Sequence, residues 1–307
     1  MVKMIGPGLR GKISYAFHMI SQMKAIASSK VIVLDGYCIA ASVLRHKPDL
    51  QIVQMWHALA AIKKFGYQSI DKSSGHSNQI AEIMCMHKNY DHIVSASEET
   101  GRHFCEGFGY DTDKTRLYGL PRIDVIKGLT TGAKAAELRS KVREEYGVKE
   151  GQEIVLYAPT FRKGKQVDVK GVRDVLDDEK FRLIVKLHPL HDDEKISDTR
   201  YSTYEWLGAC DRIITDYSAL GVEASLAGKP LYFYVYDIDE YKETVGLNVD
   251  PLVELPAASA QSAEALAELF AGEYDMDSLN RFRDKYVSVD TENCTKQLGD
   301  YIYGLLC

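Results

Sequence analysis

The 307-residue sequence predicts an α/β protein built as two Rossmann-like domains facing a central cleft. Three observations predict it. Apolar runs of strand length alternate with helix-patterned segments, the signature of parallel sheets with right-handed crossovers. The alternation occurs twice, on either side of a charged helical stretch at 127–150. Four of the apolar runs break into turns that carry an imidazole, a guanidinium or a hydroxyl, and open α/β sheets bind ligands at the carboxyl ends of their strands. The chain is long enough for two domains that each bury a core.

Residues 12–27 place Ile13, Phe17, Ile20 and Met23 on one helical face. Such a helix covers a sheet or, because basic residues flank the stripe, lies on a membrane surface. Val31–Leu34 and Ile52–Met55 read as short buried strands. Ser77–Met86 reads as a helix, Ile93–Ser95 as a strand, and Glu98–Phe108 as a helix closed by Gly109. The strand Arg116–Tyr118 ends at Gly119-Leu120-Pro121. After the 127–150 connection come strand Glu153–Tyr157, helix Val172–Asp177, strands Arg182–Leu187 and Arg212–Thr215, helix Ala219–Ala227 and strand Leu231–Tyr234. Helices run from Ser262 to the end. The expected division is 1–135 and 136–307.

Composition narrows the class. No apolar run approaches the 18 or more residues of a membrane span, and no signal-peptide core is visible. The six cysteines are scattered without a CxxC pair, which suits free thiols in a reducing cytoplasm and excludes a disulfide framework. The net charge of −6 is uneven. Residues 1–90 hold eleven Lys/Arg against four Asp/Glu, and the remainder holds 27 against 40. A basic front end suits a polyanionic partner or an anionic membrane face, or is simply a solvated surface. Nothing points to nucleic acid. No HExxH or P-loop is present, so neither a metal site nor a cofactor is expected.

The motifs carry the chemistry. Gln54-Met55-Trp56-His57-Ala58 follows a strand and leads into Lys63-Lys64-Phe65-Gly66. A neutral His57 at a cleft wall suits removal of a proton from an attacking hydroxyl; otherwise it is a packed histidine under a loop. Ala158-Pro159-Thr160-Phe161-Arg162 offers a guanidinium able to grip a diphosphate with two parallel hydrogen bonds, or a plain surface arginine. In Lys186-Leu187-His188-Pro189 the proline stops the strand, so His188 projects at the sheet edge, to neutralise phosphate or to serve structure. Thr215-Asp216-Tyr217-Ser218 runs into a helix start, where Asp216 or Ser218 caps the helix and its free amides suit phosphate. Glu223 lies about one turn further in, in reach of ribose hydroxyls.

Taken together and in order, these segments resemble the CDP-glycerol glycerophosphotransferase family of teichoic-acid and related polymer synthesis, which has the GT-B architecture. The matching stretches are Trp56-His57-Ala58, Ile62-Lys63-Lys64-Phe65-Gly66, Gly119-Leu120-Pro121-Arg122-Ile123-Asp124, Ala158–Arg162, Leu187-His188-Pro189 and Thr215–Ala219 with Glu223. Ala58 and Ile123 depart from the family pattern, which has a glycine and a polar residue there.

The resemblance implies a CDP-glycerol or CDP-ribitol donor held by the second half. Arg162, His188, Thr215 and Ser218 would hold the pyrophosphate and Glu223 the ribose. Pro159, Thr160, Lys186, Asp216, Arg122 and Lys63 would complete the binding site. His57 and His188 would be the catalytic pair, His57 deprotonating a lipid-linked or polymer acceptor so that CMP leaves. The expected place is the cytoplasm, at the inner membrane face. Two other readings stand beside it: a GT-B nucleotide-sugar glycosyltransferase or sugar 2-epimerase, which also uses a strand-end histidine and a ribose-binding glutamate but is disfavoured by Trp56-His57 with Pro159–Arg162, and a non-catalytic nucleotide-binding partner, against which His57 and His188 argue.

Overall fold

The predicted double alternation folds as two parallel sheets. The structure is a computed structural model that describes residues 8–72, 75–162, 165–188 and 196–307. Pro189 and the acidic pair Asp192-Asp193 lie outside the described residues. The first sheet has the order β1-β2-β3-β4, from β1 (Val31–Leu34), β2 (Gln51–Gln54), β3 (His92–Ser95) and β4 (Thr115–Leu117). Its helices are α1 (Gly8–Ser28), α2 (Ile39–Val43), α3 (Asn78–Ile83), α4 (Glu98–Phe108) and α5 (Pro121–Thr130), followed by α6 (Gly132–Glu145).

The second half contributes β5 (Glu153–Tyr157), α7 (Val169–Val175), β6 (Phe181–Val185), α8 (Thr203–Ala209), β7 (Arg212–Thr215) and α9 (Leu220–Ser225). It continues with β8 (Leu231–Tyr234), α10 (Ile238–Thr244), α11 (Pro251–Glu254), β9 (Ser259–Ala260), α12 (Ala263–Ala271), α13 (Met276–Tyr286) and α14 (Cys294–Gly304). The sheet order is β6-β5-β7-β8-β9. Chain direction across the sheet therefore reverses between β5 and β7, and a doubly wound sheet opens its crevice at that switch point.

Both faces of the first sheet are covered. Val53 and Val94 face the main core, while Ile52 and Ile93 face a smaller one with Phe104 and Phe108. This is the period of two expected for strands buried on both sides. Helix α4 starts on the Ser97 hydroxyl, which accepts from the Thr100 amide at 3.1 Å. It ends where Gly109 turns left-handed at φ 78, a conformation glycine adopts without steric cost.

Three expectations are corrected. β1 is a half-exposed edge strand, with Val33 42% exposed, because only β2 pairs with it. The apolar face of α1 does not cover a sheet: Leu9, Ile13, Phe17 and Ile20 point to solvent at 74, 48, 69 and 48% exposure. The end of the chain does not stay with the second half. Asp124 of α5 accepts the amides of Cys294 (2.9 Å) and Thr295 (2.8 Å) and so caps α14, while Tyr301 stacks on Tyr118 and its hydroxyl bonds His92 Nδ1 at 2.9 Å.

A strap ties the halves at the cleft. The Asn248 amide donates to Ile62 O (2.8 Å) and the Lys64 amide to Gly246 O (3.0 Å), while Gln68 and Asn248 exchange side-chain hydrogen bonds at 2.8 and 3.0 Å. Leu59, Ala60 and Ile62 of this strap enter the main core.

Candidate functional site

The carboxyl ends of β2, β5, β6 and β7 converge on one cavity of about 1160 Å³ between the two halves. Of the residues expected from sequence, His57, Lys63, Arg122, Pro159, Lys186, His188, Ser218 and Glu223 line it. Thr160, Arg162, Thr215 and Asp216 do not; they form the layer behind the wall.

His57 is presented by strain in the residue before it. Trp56 has φ 56, rare for a bulky side chain. Its amide donates to Gln54 Oε1 at 2.9 Å, and the Gln54 Nε2 donates to Gly36 O at 3.1 Å. The Trp56 ring is packed against His57 (4.1 Å between centroids) and Phe65 (5.1 Å). This kink turns His57 off the strand line and into the cleft. His57 Nδ1 lies 3.2 Å from the Asp35 carbonyl oxygen. A carbonyl only accepts, so Nδ1 carries the proton and Nε2 keeps its lone pair. Burial lowers the His57 pKa from 6.5, against the Asp35 carbonyl, and the Arg122 and Lys63 charges lower it further. The imidazole is neutral at pH 7 with a free basic nitrogen.

On the opposite wall Glu223 is buried and joins the halves. Its Oε1 accepts from Arg122 Nη1 of α5, and its Oε2 accepts from the Tyr204 hydroxyl at 3.1 Å, while Arg122 Nη1 lies 3.1 Å from the same hydroxyl. Burial raises the Glu223 pKa and the Arg122 charge opposes it. Tyr204 had no motif to single it out. It is placed by α8, whose Ser202–Glu205 capping box was a legible but unread start signal. Lys186 donates to the carbonyls of Asp198 (2.8 Å) and Tyr201 (2.6 Å), so two of its three protons hold the loop that brings Tyr204 into place. His188 stands beside Phe161, ring centroids 5.9 Å apart. Lys63 carries no hydrogen bond or ion pair from its ammonium to a described residue; burial lowers its pKa and the Asp216 charge opposes.

The expected diphosphate grip of Arg162 is corrected by its partners. Its Nε and Nη2 donate to Asp237 at 2.7 and 3.1 Å, and its Nη1 donates to Asp216 at 2.7 Å and to Thr160 O at 3.1 Å. Both edges of the fork are thereby used, and only 5% of the side chain is exposed. Asp216 is equally committed, accepting the Thr160 amide at 2.9 Å, and Thr215 Oγ1 donates to Ala158 O at 2.8 Å. These four residues join the end of β5 to the end of β7. They shape the switch-point crevice without facing it.

The family described as CDP-Glycerol:Poly(glycerophosphate) glycerophosphotransferase matches residues 9–304. Among similar curated proteins is a teichoic acid glycerol-phosphate primase of Bacillus subtilis (strain 168), 27% identical, covering 94% of this chain and 77% of its own. A teichoic acid ribitol-phosphate primase of Bacillus spizizenii is 25% identical over 97% of this chain and 81% of its own. Among solved structures, the wall teichoic acid polymerase TagF soaked with CDPG superposes with a TM-score of 0.72 at 19% identity, over 98% of this chain and 77% of that one, which establishes the two-domain fold. The match over nearly the whole chain settles membership: this protein belongs to the CDP-glycerol:poly(glycerophosphate) glycerophosphotransferase family.

Proposed function

We propose that the chain transfers a glycerol-phosphate or ribitol-phosphate unit from a CDP-alditol to an acceptor hydroxyl and releases CMP. The observation that carries this reading is the His57 imidazole, neutral and with Nε2 unprotonated, facing Lys186, His188, Ser218 and Glu223 across one cavity. The first half serves the acceptor and the second half the donor. The nucleotide ribose competes with Arg122 for the Glu223 carboxylate, and Lys63, His188 and Ser218 surround the phosphates. His57 takes the acceptor proton as its oxygen bonds the β-phosphorus; the bond from that phosphorus to the CMP oxygen breaks and the electron pair leaves with CMP. Positioning and charge neutralisation supply most of the rate.

The acceptor is read as lipid-linked or polymeric and the place of action as the cytoplasmic membrane face. Among the described residues no helix is long and apolar enough to cross a membrane. The outward stripe of α1, flanked by Arg10, Lys12 and Lys24, supports surface association instead.

CMP release from CDP-glycerol with an acceptor, compared between wild type and His57→Ala, tests the proposal. Loss of a general base costs on the order of 10²–10⁴ in kcat while donor binding persists. Undiminished turnover in the variant, or no binding of either CDP-alditol by the wild type, refutes it.

A further inference from the structure

We propose that Lys64 and Lys72 form a subsite for a phosphodiester of the acceptor, at the rim of the cleft on the His57 side. The inference rests on the transferase reading and deepens it: an acceptor built of alditol-phosphate units carries phosphate close to the hydroxyl that reacts.

The two lysines converge over one backbone position. Gly246 has φ +84, and a Cβ placed on it would stand 2.9 Å from Lys64 Cδ and 3.1 Å from Lys72 Nζ. The strap makes this convergence, since the Lys64 amide is bonded to the Gly246 carbonyl at 3.0 Å. Both side chains are half-buried, and neither ammonium makes a hydrogen bond or ion pair with a described residue. Four acids of the neighbouring segments have partners of their own. Asp71 accepts the Asn78 amide at 3.0 Å, Glu106 pairs with Arg102 at 2.7 Å, Asp250 pairs with Lys242 at 2.6 Å and Glu240 pairs with Lys165.

Two half-buried cations side by side without a carboxylate repel one another, and a bound anion offsets that repulsion. The pair belongs to the basic first 90 residues, with eleven Lys/Arg against four Asp/Glu, on a protein of net charge −6. Lys64 lines the cleft together with His57, Lys63 and Phe65, all on the same loop, away from the wall of β6 and β7. The chemistry also fits. An ammonium is a point charge without the fork of a guanidinium, so it recognises charge and not a fixed orientation. That suits a flexible phosphodiester chain carrying one negative charge per unit.

The test is calorimetry on the full chain, with a synthetic glycerol-phosphate oligomer and separately with CDP-glycerol, comparing wild type with Lys64→Gln/Lys72→Gln. The oligomer should bind about tenfold more weakly to the double variant, with a flatter salt dependence. The CDP-glycerol dissociation constant and the Tm should stay unchanged, and Lys64→Arg/Lys72→Arg should restore oligomer binding. Unchanged oligomer affinity, or a parallel loss of donor affinity, overturns the subsite. No turnover is needed, so a protein that binds oligomer but never releases CMP would sink the transferase reading alone. Vesicles of anionic phospholipid form the second arm. A loss confined to vesicles assigns the pair to a lipid surface and overturns the acceptor subsite.

Discussion

Arg162→Ala should destabilise the second half before it touches donor binding directly. Arg162 is held between Asp216, whose side chain is 1% exposed, and Asp237, at 16%. Removing the guanidinium leaves Asp216 with the Thr160 amide and Asp237 with the Tyr217 hydroxyl at 2.9 Å, both neutral donors. Breaking a buried pair from one side costs about 3–5 kcal/mol, because a charge remains buried without its counter-ion. In a domain of this size each kcal/mol moves Tm by about 2–4 °C, so a fall of roughly 6–20 °C is expected. Arg162→Ala/Asp216→Asn should regain part of it, since one stranded charge is gone. Differential scanning calorimetry gives the stability, and titration with CDP-glycerol well below the variant's Tm gives the affinity. An Arg162→Ala protein with wild-type Tm and no donor binding would refute the argument and return the guanidinium to the diphosphate.

Three further outcomes are expected. Protonating His57 Nε2 removes the base, so activity falls as pH falls; burial disfavours the charged ring, so the acid limb of kcat/KM should inflect below 6.5, and a limb above that value contradicts the assignment. Asp124→Ala removes the cap that holds α14 to α5, at about 0.5–2 kcal/mol, read as a lower denaturation midpoint at unchanged m-value. Burial raises the Asp124 pKa, but hydrogen bonds from Thr295 and Cys294 outweigh it and hold the group below 3.8, so this stabilisation is present at neutral pH and is lost only as pH falls below that value. Leu9→Ser/Phe17→Ser should abolish flotation with anionic vesicles while leaving CDP-glycerol affinity intact; unchanged flotation would remove α1 from the membrane argument.

The fold was legible where a local signal and a buried face agreed. Glu98–Phe108, Glu153–Tyr157, Arg212–Thr215 and Leu231–Tyr234 have the bounds their patterns predict, because a cap or an apolar run ends each one sharply. β1 was misread, and the α1 face left open between a sheet and a membrane surface, for a common reason. Periodicity reports that a face is apolar and not what covers it, so a stripe at helical spacing reads the same whether it meets a sheet or solvent. The return of α14 was hidden differently. Its anchor is an aspartate 170 residues upstream, and no window of sequence contains both partners.

The site divides along the same line. His57, Lys186, His188, Ser218 and Glu223 reach the cleft because a strand end fixes direction locally, and alternation followed by a turn is visible in a few residues. Arg162 has the same kind of position after a strand, yet it points away from the cleft. What decides its direction is a pair of carboxylates 54 and 75 residues further on, Asp216 and Asp237. An arginine that follows a strand end is therefore ambiguous until its acids are located. In this chain the acids bind it on both edges, so the motif that looks most like a phosphate grip serves to brace β5 against β7. Among the described residues, the cleft cations without a carboxylate partner are Lys63 and, at the rim, Lys64 with Lys72, all on the first half, and Lys186 on the second, which keeps one proton beyond its two carbonyl bonds. On the proposed reading, donor recognition by the second half rests on Lys186, His188, Ser218 and Glu223, with Arg122 reaching across from α5. Charge on the donor phosphates is met from both sides only when the halves hold the spacing that the strap at Ile62–Lys64 sets.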